Sequence, residues 1–212
     1  MNVDTHIKRR VLPIKTTERL LLYKTILAEL LEQGEEYIHS YRLAEIAKNN
    51  AAQVRRDIMA VKYTGVPSRG YHISDLIKKI DRALSLGKRI NMALIGAGRL
   101  GLAIMSYFQS HKTRFNLTTA FDISKDKANK QINGCHIYSL HDLKEIIEKE
   151  RITFVILTTP DKSAQYVADL LSETKVKGIL NFTSIPLKVK KGIMVNRIDI
   201  TLEMEKLAFY SH

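Results

Sequence analysis

The chain has 212 residues, of which 45% are hydrophobic and 26% are charged, and this composition excludes a disordered or fibrous protein. Its length suits one large domain or two small ones, and we expect two. The formal net charge of +12 suggests a polyanionic partner, since phosphate contacts by lysine and arginine release counterions. The charge is spread over both halves of the chain and does not locate the contact surface.

The cysteine count and the length of the apolar runs indicate in which cellular compartment the protein is expected. Cys135 is the only cysteine, which excludes an internal disulfide and a cysteine-based zinc site and fits a reducing environment. The first residues lack the apolar core of a signal peptide, and no later apolar run approaches the roughly 20 residues that span a bilayer. We therefore expect a cytoplasmic protein with no membrane partner.

The N-terminal part of the sequence predicts three helices. The first covers residues 17–32, with Thr17 as its N-cap and Gly34 just beyond its end. The second starts from Ser40 as N-cap, and the third spans residues 51–61 after a short polar turn. The order is that of a helix-turn-helix.

The third helix has one face that packs and one that is free to contact a partner. Gln53, Arg55 and Arg56 lie on the free face. Residues 63–73 then place glycine and proline between β-favouring residues, which predicts a wing that carries Arg69. The clustering of these four side chains favours a winged helix that binds DNA. A protein-binding module, with the arginines merely solvated, is the alternative.

A helix capped by Ser74 and ended by Gly87 completes this unit, and the domain boundary is placed after residue 87. From Lys88 onward, short apolar runs alternate with amphipathic helices, which predicts βαβ units around a parallel sheet. The predicted strands are residues 91–95, 117–121, 154–158, 178–182 and 193–195; the predicted helices start near Leu100, His141 and Lys162, and a last helix covers 201–210.

A glycine motif follows the first of these strands. It satisfies G-x-G-x-x-G between a strand and a helix and consists of Gly96, Ala97, Gly98, Arg99, Leu100 and Gly101. In such a motif the glycines allow a tight turn, close approach to a pyrophosphate and close packing of the helix. The diphosphate then lies against free N–H groups at the positive end of the helix. This context predicts a Rossmann-like domain that binds a dinucleotide.

Two further strand ends are candidate cofactor contacts. Asp122 follows the glycine motif by about 20 residues, where a carboxylate binds a ribose 2′-hydroxyl and repels a 2′-phosphate, so NAD(H) is favoured over NADP(H). Thr158, Thr159 and Pro160 end a later strand at the edge that holds ligands in open α/β sheets, beside the nicotinamide or its ribose. The alternatives are an Asp122 that only begins a turn and a plain strand-to-helix turn at Pro160.

The sequence does not predict an enzyme. A dehydrogenase needs a substrate pocket and a proton donor or acceptor beside the nicotinamide, and few residues remain after Pro160 to build them. We interpret His111, His136 and His141 as solvated side chains in loops or at helix starts. No Ser/His/Asp set, H-E-x-x-H motif or pair of metal ligands is apparent. We expect no catalytic residue and no metal site.

Together these segments make the chain resemble the Rex family of redox-sensing transcriptional repressors over nearly its whole length. The matching segments are Leu43-Ala44-Glu45, Ala52-Gln53-Val54-Arg55-Arg56-Asp57, Gly70-Tyr71, the glycine motif, Phe121-Asp122, Ala164-Gln165, Gly178-Ile179-Leu180-Asn181-Phe182 and Asp199. The Gln-Val-Arg-Arg-Asp and Gly-Ile-Leu-Asn-Phe segments are far more specific than the glycine motif.

The resemblance implies a homodimer that binds double-stranded palindromic operator DNA and releases it when NADH binds. It implies a winged helix over residues 1–87, a Rossmann-like NAD(H)-binding domain over 88–199, and a C-terminal helix, 200–212, that exchanges between subunits. It also implies that Gln53, Arg55 and Arg56 face the major groove and phosphates of the DNA. Tyr107 and Asp199 are implied to belong to an interdomain switch, with Asp199 changing partners between states.

Two departures from the family pattern leave alternatives open. An arginine on the first helix of the family is Thr25 here, with Lys24 beside it, so the coupling is expected to be weaker or rerouted. The wing is poorer in glycine, and its arginine, Arg69, is displaced by two positions. A divergent regulator with a different or lost nucleotide response is therefore one alternative, and a small NAD-dependent oxidoreductase is a less favoured one.

Overall fold

The computed structural model describes residues 12–111, 113–124 and 126–211. The chain divides into two compact units, of which the first ends at Gly87 and the second begins at Lys88. No helix in the described ranges is long and apolar enough to span a bilayer.

The first unit consists of four helices and a two-stranded antiparallel sheet. In chain order its elements are α1 (Ile14–Glu32), β1 (Tyr37–Ile38), α2 (Ser40–Ile46), α3 (Ala51–Ala60), β2 (Tyr71–His72) and α4 (Ile73–Leu84). Its core is formed by the apolar faces of all four helices, including Leu20 and Leu27 of α1, Leu43 of α2, Ile58 of α3 and Leu76 of α4. An antiparallel bridge between Val66 and Gly70 closes the wing.

The sequence located these helices correctly but placed two starts wrongly. Helix α1 begins three residues before Thr17, which is therefore not its N-cap; the N–H of Thr17 donates to the carbonyl of Pro13 inside the first turn. Helix α2 already includes Ser40, and its N-cap is His39. Both helices thus begin without a capping side chain, and the residue before each, Pro13 or His39, has the extended backbone of an N-cap position.

A residue with positive φ follows each of the helices α1 and α4. Gly34 does follow α1, with φ +88°, as predicted. Ser74 lies inside α4, whose N-cap is His72, and α4 ends at Leu84 rather than at Gly87. Ser85, which is not a glycine, has the left-handed conformation there, with φ +55°. The prediction relied on Gly87 and therefore placed the end of α4 too late in the sequence.

The second unit is a seven-stranded sheet with helices on both faces. The strands are β3 (Ile90–Ile95), β4 (Phe115–Asp122), β5 (Gln131–Ile132), β6 (Cys135–Ser139), β7 (Phe154–Leu157), β8 (Gly178–Asn181) and β9 (Met194–Arg197). Their order is β5-β6-β4-β3-β7-β8-β9, and all neighbours are parallel except β5 and β6. The helices are α5 (Arg99–Ser110), α6 (Leu143–Lys149) after a 3-10 turn, α7 (Asp161–Ser172) and α8 (Ile200–Tyr210). The parallel, doubly wound fold predicted for this half of the chain is confirmed.

Two of these strands, β5 and β6, were missed. They form a hairpin whose two-residue turn is Asn133-Gly134, with φ +48° and +74°. Asn-Gly is the strongest short signal for such a turn, so the sequence did contain it. As a consequence His136 lies in a strand, not in a loop.

Helix α8 differs from the other helices because none of its residues is buried. Leu207 is 64% exposed and Phe209 is 76% exposed. Within the described residues, the apolar side chains of α8 are therefore not buried by any other element.

Candidate functional site

A cleft of about 510 Å³ lies where β3, β4 and β7 end, at the carboxyl edge of the parallel sheet. Eight of the ten predicted cofactor residues line it, namely Gly96, Gly98, Arg99, Leu100, Asp122, Thr158, Thr159 and Pro160. The other two, Ala97 and Gly101, are buried behind this lining. The sequence motifs thus meet at one place, because carboxyl ends of parallel strands share one edge of a sheet.

The three glycines of the motif have different structural roles. Gly96 has φ +101°, and a Cβ there would lie 2.8 Å from the carbonyl oxygen of Thr158 on the neighbouring strand. A Cβ on Gly101 would collide with the carbonyl oxygen of Gly96. At Gly98 a Cβ would meet nothing within 4 Å, so this glycine is not required by the fold. The space over Gly98, in front of the first turn of α5, is open to a ligand.

Asp122 ties the end of β4 to the glycine turn. Its Oδ2 accepts a hydrogen bond from the backbone N–H of Ala97 at 2.9 Å, and its Oδ1 accepts one from Ser124 at 2.8 Å. The carboxylate is 9% exposed and lines the cleft. It is therefore held in place by the backbone and presents its remaining acceptor capacity to the cleft.

Lys127 was not predicted as a site residue, although it lines the cleft. Its ammonium donates to the carbonyl of Ala97 at 2.9 Å and lies 3.3 Å from Oδ2 of Asp122. A positive charge beside Asp122 offsets part of the repulsion that this carboxylate would exert on a phosphate in the cleft.

Two threonine hydroxyls, of Thr158 and Thr159, lie at the end of β7, and they differ in their hydrogen bonding. Oγ1 of Thr158 donates to the carbonyl of Gly96 at 2.8 Å, so it closes the glycine turn from the other strand. Oγ1 of Thr159 is buried and has no hydrogen-bond partner among the described residues. A buried hydroxyl without a partner costs free energy, and at the wall of a cleft a ligand can satisfy it. Pro160 is the N-cap of α7.

The outer wall of the cleft is apolar. Ile123, Leu140 and Tyr166 line it, and Ile123 is 80% exposed. Such a wall suits a neutral flat ring better than a charged one, because burying a charge without a partner costs desolvation energy.

The second candidate site is the exposed face of α3 with the wing. Arg55 donates from Nη1 to the hydroxyl of Ser40 at 3.1 Å, and Arg56 donates from Nη2 to Oε1 of Gln53 at 2.9 Å. Both arginines are exposed, whereas Gln53 is half-buried. In the wing, the guanidinium of Arg69 lies 5.6 Å from the ring centre of Tyr37, a cation-π contact.

A buried carboxylate, Asp57, lies directly under this face. It is 2% exposed and forms an ion pair with Arg19 of α1 at 2.6 Å. Burial acts to raise the pKa of Asp57, but hydrogen bonds from Arg19 and Gln53 outweigh it and hold the pKa below its usual value. Burial and the nearby Asp57 charge raise the pKa of Tyr23 to about 12. The sequence interpretation had not assigned Arg19 or Asp57 a role, because their partnership spans 38 positions.

Two family descriptions match parts of the chain, "CoA binding domain" over residues 87–185 and "Putative DNA-binding protein N-terminus" over residues 11–58. The redox-sensing transcriptional repressor Rex of Listeria welshimeri is 36% identical over 94% of this chain and 93% of its own length. The Rex repressor of Oenococcus oeni is 35% identical over 99% and 95%, respectively. The chain belongs to the Rex family of redox-sensing transcriptional repressors.

Solved Rex structures have the same fold. The crystal structure of RSP, a Rex-family repressor, in complex with NAD⁺ and operator DNA matches with a TM-score of 0.87 at 30% identity, over 94% of this chain and 92% of that one. RSP in complex with NADH matches with a TM-score of 0.83 over 94% of both chains. The relatives are repressors and not enzymes, which agrees with the prediction of a regulator.

The switch positions that the Rex resemblance implied have local partners here. Tyr107 of α5 stacks on His111, with ring centres 4.1 Å apart. Oδ1 of Asp199 caps α8 by accepting from the N–H of Leu202 at 3.0 Å, and its Oδ2 lies 3.4 Å from Arg197. Asp199 therefore pairs with an arginine of its own unit.

On α1, Thr25, which stands where the family has an arginine, and the neighbouring Lys24 also have local partners. Thr25 donates its hydroxyl to the carbonyl of Leu21 in its own helix, and Lys24 forms an ion pair with Asp81 of α4 at 2.6 Å. Neither side chain reproduces the arginine.

Proposed function

We propose that this Rex-family protein is a redox-sensing repressor that binds double-stranded operator DNA and leaves it when NADH occupies the cleft. The observation that carries the proposal is the convergence of the glycine turn, Asp122 and the unsatisfied hydroxyl of Thr159 on one cleft. The relative RSP, whose structures carry NAD⁺ with operator DNA and NADH, supports it. A reducing cytoplasm suits a regulator of this kind with one buried cysteine.

The cleft residues fit NAD(H) for physical reasons. Free N–H groups at the first turn of α5, from Arg99 onward, are donors for a diphosphate, and the space over Gly98 lets it approach. Asp122 supplies an anionic acceptor for the adenosine ribose. Thr158 and Thr159 contact the nicotinamide end of the cofactor, where the hydroxyl of Thr159 gains a hydrogen-bond partner.

Discrimination between the two redox forms follows from the wall of the cleft. The nicotinamide ring is positively charged when oxidised and neutral when reduced. Thr158, Thr159 and Pro160, which we place beside this ring, carry no negative charge, so the cleft stabilises the neutral ring more. A ligand shifts a conformational equilibrium only by its differential affinity for the two states, so this preference is what reports the NADH/NAD⁺ ratio.

DNA binding uses α3 and the wing of each of two subunits. Arg55 and Arg56 face the major groove and phosphates, and Arg69 extends the contact from the wing. In a homodimer the two α3 helices must lie about one duplex turn apart, roughly 34 Å, to engage a palindrome. The exposed apolar side chains of α8 suit packing on the partner subunit, as a helix exchanged between subunits would do. The NADH-bound dimer holds the winged helices away from this spacing, through contacts that involve Tyr107 and Asp199.

The test is fluorescence anisotropy of a labelled palindromic fragment from upstream of the gene, at fixed salt, with a scrambled fragment as control. We expect tight binding that NADH reverses and NAD⁺ does not. Operator binding that neither form changes would favour a second candidate, a Rex-type regulator with a lost nucleotide response. Thr25 is the observation behind that candidate, because it stands where the family has an arginine and its hydroxyl bonds within its own helix. Absence of binding to either fragment would refute the repressor function for that site.

A further inference from the structure

We infer that Gln53 positions Arg56 for DNA contact instead of reading a base, and that the ion pair of Arg19 and Asp57 holds Gln53 in place. The inference rests on the proposed DNA binding through α3. It assigns a role to Arg19 and Asp57 and changes the role expected for Gln53.

Asp57 has its acceptor sites filled from three directions. Arg19 donates from Nε to Oδ2 at 2.6 Å and from Nη2 to Oδ1 at 2.7 Å, a bidentate geometry. Tyr23 donates its hydroxyl to Oδ2 at 3.2 Å, and Gln53 donates from Nε2 to Oδ1 at 2.9 Å. A carboxylate has about four lone-pair sites, so this one is saturated and its position is fixed by α1.

The orientation of the Gln53 amide then has no alternative. Its Nε2 must face Asp57, because an ionised carboxylate only accepts hydrogen bonds. Its Oε1 therefore points outward and accepts from Nη2 of Arg56 at 2.9 Å, and a guanidinium only donates. Exchanging the two amide atoms would place donor against donor and acceptor against acceptor. Both amide groups are thus engaged within the protein, and a bidentate contact with adenine would have to use the one hydrogen-bonding position that remains at each.

The turn before α3 belongs to the same network. Asn49 donates from Nδ2 to the hydroxyl of Tyr23 at 3.1 Å, and its Oδ1 accepts from the N–H of Asn50 at 2.9 Å. Oδ1 of Asn50 caps α3 by accepting from the N–H of Gln53 at 2.8 Å. The start of the helix and its Gln53 side chain are thereby fixed to one buried tyrosine and one buried aspartate.

Holding an arginine in place before it meets DNA strengthens binding, because less side-chain entropy is lost on association. Ordering one long side chain accounts for an affinity change between about twofold and tenfold. The gain should appear only while Arg56 is present. A direct contact between Gln53 and a base would instead give a gain that is independent of Arg56.

The test combines a double-mutant cycle with a measurement on free protein, both on the full chain. Gln53→Met keeps side-chain size without the hydrogen bonds, and Asp57→Asn breaks the charged anchor. Each is measured alone and with Arg56→Ala, after circular dichroism shows that the variant is folded at the assay temperature. Lys24→Met with Asp81→Asn, which removes the other ion pair of α1, is the matched control. The second readout is ¹⁵N relaxation of the Arg56 Nε–H group without DNA.

We expect Gln53→Met to weaken operator binding about fivefold in wild type and not at all in the Arg56→Ala background. The Arg56 Nε–H group should become more mobile in both test variants and not in the control. Unchanged Arg56 mobility, or a Gln53→Met effect that persists without Arg56 and is confined to one base pair, would overturn the inference. A wild-type chain that fails to bind the operator would refute the proposed function alone, because the relaxation experiment still decides whether Gln53 positions Arg56.

Discussion

The carboxylate of Asp122 accepts a hydrogen bond from the backbone N–H of Ala97 at 2.9 Å, which joins the end of β4 to the glycine turn after β3. One side chain therefore both shapes the turn and presents negative charge to the cleft. Lys127, 3.3 Å from the same carboxylate, opposes that charge. We expect the balance between the two residues to determine how strongly the cleft rejects a 2′-phosphate.

Replacing Asp122 should weaken the choice between NADH and NADPH. For Asp122→Asn we expect NADH affinity to fall about tenfold, the loss of one charge-assisted hydrogen bond of about 1.5 kcal/mol, and NADPH affinity to fall less or rise. Nucleotide fluorescence titration measures both. Lys127→Ala should act in the opposite direction and widen the preference for NADH. An NADPH-to-NADH affinity ratio that neither variant changes would contradict a role of this pair at the ribose.

Gly98 and Gly101 should respond differently to the same substitution. Gly98→Ala is expected to leave thermal unfolding nearly unchanged, since its Cβ meets nothing within 4 Å, yet to weaken NADH binding about tenfold or more, because the methyl group occupies the diphosphate position. Gly101→Ala should destabilise the fold by about 1–3 kcal/mol, since its Cβ collides with the carbonyl of Gly96. Calorimetric unfolding and NADH titration measure the two effects. Equal NADH affinity in wild type and Gly98→Ala would place the diphosphate elsewhere.

The ion pair of Arg19 and Asp57 should make the stability of the first unit depend on acid. The folded pKa of Asp57 is lowered, so the contribution of the pair is present above the unfolded value of about 3.9 and is lost as pH falls from there through the folded pKa. Asp57→Ala leaves Arg19 unpaired and should cost about 3 kcal/mol at pH 7 and less at pH 3. Urea denaturation at the two pH values measures this difference. If Asp57→Ala lowered the free energy of unfolding equally at pH 7 and pH 3, the ion pair would not be the source of the acid dependence.

Arg69 should contribute a phosphate contact from the wing. Arg69→Ala is expected to weaken operator binding and to reduce the magnitude of the salt slope by about one, since one fewer phosphate is neutralised. Anisotropy titrations at several salt concentrations give the slope. Lys191→Ala, an exposed residue of the second unit, is the control for net charge. A slope that changes equally in both variants would remove Arg69 from the DNA interface.

Sequence periodicity predicted the elements that carry the two sites, because Val54 and Ile58 mark the buried face of α3 and an apolar strand leads into Gly96. It did not predict how Gln53 is used. The partner of Gln53 is Asp57, and the partner of Asp57 is Arg19, 38 positions away, so only the packing of α1 on α3 reveals the network. Lys127 lies five positions from Asp122 in the sequence, but its bond to the carbonyl of Ala97 depends on how the turn folds.

The most direct test of redox sensing is to titrate NADH into the protein with and without saturating operator DNA. Coupling between two sites is reciprocal, so operator must weaken NADH binding by the same factor by which NADH weakens operator binding, typically about 5- to 150-fold. We predict a lower NADH affinity in the presence of operator, by the factor measured in the DNA titration, and a smaller change for NAD⁺. An NADH affinity that is the same with and without operator would contradict the account.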